Sequence, residues 1–142
     1  MSLKNDFLND RIVIGRKAYK RSDLNKIIND YEGRGSYVLN PLKRGRYGYA
    51  ITGVKKVYGF KTGSLMLDIG ENRIITGVFT TPMEDIMPHI EELIKDCKEH
   101  KSWENLETSM IYNRYIIDDE RYVLIMTPIK PTEPNMFLMV WY

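Results

Sequence analysis

Apolar positions recur along the chain with two different periods, and each period predicts a different kind of element. Leu24, Ile27, Ile28 and Tyr31 share one face of a short helix. Ser22 precedes them as the expected N-cap, and Gly33 and Gly35 supply its stop. A second stripe, Ile86, Ile90, Leu93, Ile94 and Cys97, predicts a longer helix. Its start is signalled by Thr81 as cap, Pro82 at the first helical position and Glu84 three residues past the cap. Pro88 lies inside this stripe and predicts a kink or a detached first turn.

The remaining apolar runs are short and rich in β-branched and aromatic residues, which predicts strands. Arg11 to Tyr19 reads as two short strands about a turn at Gly15. Further strands are expected at Ser36–Leu39, Tyr47–Val54, Val57–Phe60, Leu65–Ile69, Ile74–Phe79, Met110–Ile117, Tyr122–Thr127 and Met136–Tyr142. Short Gly-, Asn- and Asp-bearing segments join most neighbours, so their pairing should be antiparallel. The expected fold class is α+β: a mostly antiparallel sheet of about seven to nine short strands with two helices.

The last strand, Met-Phe-Leu-Met-Val-Trp-Tyr, has no polar alternation, so it is either central in the sheet or covered by a partner. Met136, Phe137, Met139, Trp141 and Tyr142 are therefore candidate interface residues, of the types enriched where proteins meet.

The 142 residues, 43% of them hydrophobic, fit one domain over 1–142 and are too apolar for a disordered chain. No apolar run approaches the ~18 residues of a membrane span, and Asp6, Asp10 and Arg11 interrupt any secretory leader. A single cysteine suits a reducing, cytoplasmic setting. The net charge of +2 conceals a polarity: residues 1–61 carry 14 Lys and Arg against 5 acids, and residues 62–142 carry 7 against 14. A basic face attracts phosphates, and it equally attracts the acidic half of another copy.

Within the basic half, Arg34, Lys43, Arg44, Arg46, Lys55 and Lys56 alternate with Tyr47, Tyr49 and Tyr58. Cations beside flat rings on a β surface are what single-strand nucleic-acid binders use, so these nine residues are the candidate binding surface. The competing reading has the tyrosines packed in a sheet and the cations solvating its edge.

Catalytic and metal signatures are thin. Gly48 to Gly53 continues Val54-Lys55, where a phosphate loop needs Lys followed by Ser or Thr. Cys97 and His100 offer two ligands on one predicted helix, and a zinc site needs four. Asp68 and Glu71, and the Asp118-Asp119-Glu120 run, are paired carboxylates that could support metal-dependent nuclease chemistry, and turns favour these residues anyway. No cofactor and no metal is expected. The leading expectation is a non-enzymatic interaction or assembly protein, forming a charge-complementary homo-oligomer or binding a protein partner. Nucleic-acid binding follows, and an enzyme such as a nuclease comes third.

Overall fold

The computed structural model of the chain describes residues 3–39, 45–130 and 135–141. It opens with α1 (Leu3–Leu8), β1 (Arg11–Ile14), β2 (Lys17–Lys20) and α2 (Leu24–Asp30). Then come β3 (Gly35–Leu39), β4 (Arg46–Thr52), β5 (Lys56–Val57), β6 (Phe60–Lys61), β7 (Ser64–Gly70) and β8 (Arg73–Thr81). α3 (Met83–Ile94), β9 (Glu99–Asn105), β10 (Met110–Ile116), β11 (Arg121–Pro128) and β12 (Asn135–Trp141) follow. The fold is α+β, with more elements than spacing predicts: three helices and twelve strands among the described residues.

Eight strands form one sheet in the order β3-β4-β7-β8-β12-β11-β10-β9, and four short ones form a second in the order β2-β1-β5-β6. Every pairing is antiparallel. Because side chains alternate across a strand, register alone decides which residues share a face. Ile51, Leu65, Phe79, Phe137 and Ile125 lie side by side across five strands, and Tyr49, Leu67, Gly77, Met139 and Val123 form the next row. All but Gly77 belong to the buried core, together with Leu3 and Phe7 of α1, Ile86, Ile90 and Leu93 of α3, and Ile12 and Val57 of the small sheet. One face of the large sheet is thus covered by the helices and the small sheet. Gly77 lets them close in: a Cβ there would stand 3.2 Å from Ile12 Cδ1 and 3.2 Å from Met139 Cε.

β12 settles the choice posed by its sequence. It runs between β8 and β11, near the middle of the sheet. Phe137, Met139 and Trp141 point into the chain's own core at 0–1% exposure, which corrects their reading as interface residues. Core and interface ask for the same side chains, so hydrophobicity could not separate them. Met136 lies on the opposite face, and Tyr142 falls outside the described residues.

The helices differ from expectation at their ends. Asp23, not Ser22, precedes α2, and its side chain accepts from Lys20 N at 2.9 Å instead of capping the helix. α3 starts after Pro82 without a side-chain cap and runs as one helix through Pro88. One lost backbone hydrogen bond is outweighed by the burial of Ile86 before the proline and Ile90 and Leu93 after it. α3 ends at Ile94, so Cys97 lies beyond it and His100 stands on β9, stacked on Tyr115 with ring centroids 4.2 Å apart. The expected Val57–Phe60 strand is instead a tight hairpin of β5 and β6, turned by Tyr58 (φ 51°) and Gly59 (φ 80°).

Gly35 yields a packing prediction. A Cβ at this position would overlap the ring of buried Tyr49, 2.0 Å from its hydroxyl and 2.2 Å from Cζ. Gly35→Ala should therefore destabilise the fold by about 1–3 kcal/mol, as overpacking does. Urea unfolding should show the midpoint falling, with a smaller added loss when Tyr49 is already replaced by leucine.

Candidate functional site

Two surfaces stand out once register and topology are known. The first is the uncovered face of the large sheet. Met66, Val78, Leu138 and Leu124 form one row across it, ending at Arg114 and Lys101. Thr80, Met136, Met126, Tyr112 and Trp103 form the next. No residue of either row belongs to the buried core cluster, and Met66 and Trp103 are 40% and 42% exposed. Tyr112 and Trp103 stack with centroids 5.4 Å apart. The apolar middle is bordered by charge: Arg46 pairs with Asp68 at 2.9 Å toward one edge, and Arg114, Lys101 and Glu99 lie toward the other. An apolar centre rich in Met, aromatic residues and Leu within a charged rim matches the anatomy of protein contacts.

The second surface is a cleft of about 560 Å³ between the turns of the small sheet and the chain following α2 and β4. Arg16, Arg34, Lys55 and Lys56 line it with Tyr31, and no acid among the described residues does. Arg34 lies over the Tyr31 ring at 4.8 Å. Burial raises the Tyr31 phenol above its ordinary pKa, against the opposing pull of Arg34.

Of the nine residues in the predicted binding surface, three meet in this cleft: Arg34, Lys55 and Lys56. Arg46 is instead neutralised by Asp68 on the sheet. Tyr49 and Tyr58 are corrected from stacking platforms to core residues, 3% and 5% exposed, because Tyr49 stands on the inward face of β4 and Tyr58 turns into the core from the hairpin of β5 and β6. Tyr58 further donates its hydroxyl hydrogen bond to the Arg11 carbonyl. Tyr47 packs partly against the core beside Tyr37. Lys43 and Arg44 lie outside the described residues. Sequence reasoning missed Arg16, whose only local signal is its place after the turn glycine Gly15.

The carboxylates considered for metal chemistry are largely engaged. Asp68 holds Arg46, Asp118 holds Arg121 at 2.9 Å, and Asp119 holds Lys98 at 2.5 Å. Among the described residues no group of three or more His, Cys, Asp or Glu side chains is placed to hold a metal. No helix among them is long and apolar enough to cross a membrane. No family model, no curated protein and no solved structure matches this chain.

Proposed function

We propose that this protein works as a non-enzymatic assembly module whose partner is a second copy of the chain, docked through the open face of the large sheet. The observation that carries this is the apolar field of Met66, Val78, Leu138, Leu124, Met136 and Met126, opposite the face that the helices cover. The chain exposes 8619 Å², and its mass is 16.7 kDa. That is roughly 1,000 Å² more than a compact monomer of this mass exposes. A stable pair removes about 800 Å² from each partner, so closing this face would bring the surface back to the usual range.

β3 and β4 form one edge of the sheet, and β9 and β10 form the other. A two-fold axis along the strands lays the first edge of each copy over the second edge of its partner, so the neutral Arg46–Asp68 pair meets the group of Glu99, Lys101 and Arg114, with the sheets packed face to face.

Light scattering should return twice 16.7 kDa. The assembly should persist at about 0.5 M salt, since the apolar contact is not screened. Leu124→Lys with Leu138→Lys, neighbours at the centre of the face, should return the monomer mass with an unchanged circular dichroism spectrum. A wild-type chain that remains monomeric at about 100 μM would sink the proposal.

A further inference from the structure

We infer that the cleft beside Arg34 is a binding site for a small organic phosphate of mononucleotide size carrying two or more negative charges. This site is separate from the sheet face and would hold whether or not the chain pairs.

The chemistry of the lining comes first. Four cations converge on one cleft with no lining carboxylate among the described residues. None of the four is in an ion pair among the described residues, whereas Lys17, Arg46, Lys98 and Arg121 all are. Gathering unpaired like charges is unfavourable until an anion enters, so the cleft is set up for a multiply charged ligand.

The backbone is built for close approach. Gly15, Gly53 and Gly59 line the same cleft, with φ of 63°, 72° and 80°. Such angles are strained for other residues, and glycine leaves peptide groups bare toward the ligand. Added Cβ atoms would meet nothing closer than 3.6 Å at Gly15 and 3.7 Å at Gly53, and nothing within 4 Å at Gly59. The glycines are therefore demanded by backbone conformation, and the space before them stays open.

The backbone that carries the cations is held in place. Thr52 donates to the Arg34 carbonyl from its amide at 2.9 Å and from its hydroxyl at 3.1 Å. Gly15 N donates to the Lys56 carbonyl at 2.9 Å, and Thr62 N to that of Lys55 at 3.0 Å. The Arg34 guanidinium lies over the Tyr31 ring at 4.8 Å, a contact that leaves its N–H donors for oxygen atoms. Three segments far apart in sequence thus present fixed backbones, which lowers the ordering cost of binding.

Size selects the ligand class. A volume of about 560 Å³ lies within the usual range for small-molecule sites. With Tyr49 and Tyr58 buried, two of the three tyrosines expected to stack a longer strand are turned away from the cleft.

Isothermal titration calorimetry of the full chain with ATP, inorganic pyrophosphate, adenosine and an oligothymidylate without terminal phosphate tests the inference. ATP and pyrophosphate should bind saturably, adenosine should not, and affinity should fall as salt rises. Arg34→Ala with Lys56→Ala should weaken ATP binding by about tenfold or more. Lys61→Ala, an exposed cation that does not line the cleft, should leave it unchanged. Circular dichroism checks that each variant folds. Failure of ATP and pyrophosphate to saturate at about 1 mM overturns the site. So does binding that the cleft variant leaves intact, and so does an oligonucleotide that binds tighter than ATP, which would mark a nucleic-acid surface instead.

Discussion

Trp141→Ala should cost the fold about 3–5 kcal/mol, a large share of the roughly 5–15 kcal/mol that holds a domain together. Trp141 is 1% exposed, and its ring packs on Phe7 with centroids 5.2 Å apart. Its indole N–H donates to the Phe7 carbonyl at 3.1 Å. Arg21 adds a third element: its Nη2 donates to the Trp141 carbonyl at 3.2 Å, its Nε donates to the Ile74 carbonyl at 2.7 Å, and its guanidinium lies 5.9 Å from the Trp141 ring. One side chain thus ties α1, the segment after β2 and the centre of the large sheet.

Truncation to alanine opens a cavity and removes one of the two donors to the Phe7 carbonyl, which keeps Asp10 N at 3.1 Å, so transfer, packing and hydrogen-bond losses all run the same way. Urea unfolding followed by circular dichroism should show the midpoint collapsing. Trp141→Phe, which keeps a ring but loses the N–H, should fall between the two. A variant that kept full stability and changed only its assembly mass would return Trp141 to the interface role that its sequence position suggests.

The elements that could be read from sequence are those whose burial is one-sided and periodic. α3 follows from Ile86, Ile90 and Leu93 at helical spacing, and β7 from Leu65, Leu67 and Ile69 at alternate positions. β9 could not be found this way. Every residue from Glu99 to Glu104 is exposed, and the strand is held at the sheet edge by its pairing with β10. α1 is six residues long, too short for a periodic signal, and it is secured by Phe7 reaching Trp141 from across the chain. β5 and β6 have two residues each and depend on the turn between them.

The cleft was half legible for a related reason. Arg34, Lys55 and Lys56 lie in one basic stretch, but Arg16 joins them only because Gly15 donates to the Lys56 carbonyl and folds one hairpin onto another. Tyr49 was misread because side-chain direction in a strand depends on register, which pairing partners set and composition does not, and Tyr58 because it sits in the turn between β5 and β6 and not in a strand.

Alkaline pH should therefore unfold the protein from within. Burial, with a smaller contribution from Asp6, raises the pKa of the Tyr58 phenol well above its ordinary value. Burial also raises Tyr19, reinforced by the hydrogen bond it donates to Asp30 at 2.6 Å. In the unfolded chain both phenols ionise near pH 10, as free tyrosine does. Their neutral forms are preferred in the fold, so stability is full below about pH 10 and falls as pH rises toward the folded pKa values. The loss approaches about 1.4 kcal/mol per pH unit for each such phenol.

Tyr58→Phe separates the contributions. It removes the hydrogen bond to the Arg11 carbonyl, which should cost about 0.5–1.5 kcal/mol at neutral pH. It also removes one ionising group, so above about pH 10 its stability should decline less steeply than that of the wild type and the two curves should converge. Urea midpoints measured between about pH 7 and pH 11.5 give both slopes. Were the Tyr58 ring open to solvent, as a stacking platform requires, it would ionise alike in both states, and the two slopes would be the same.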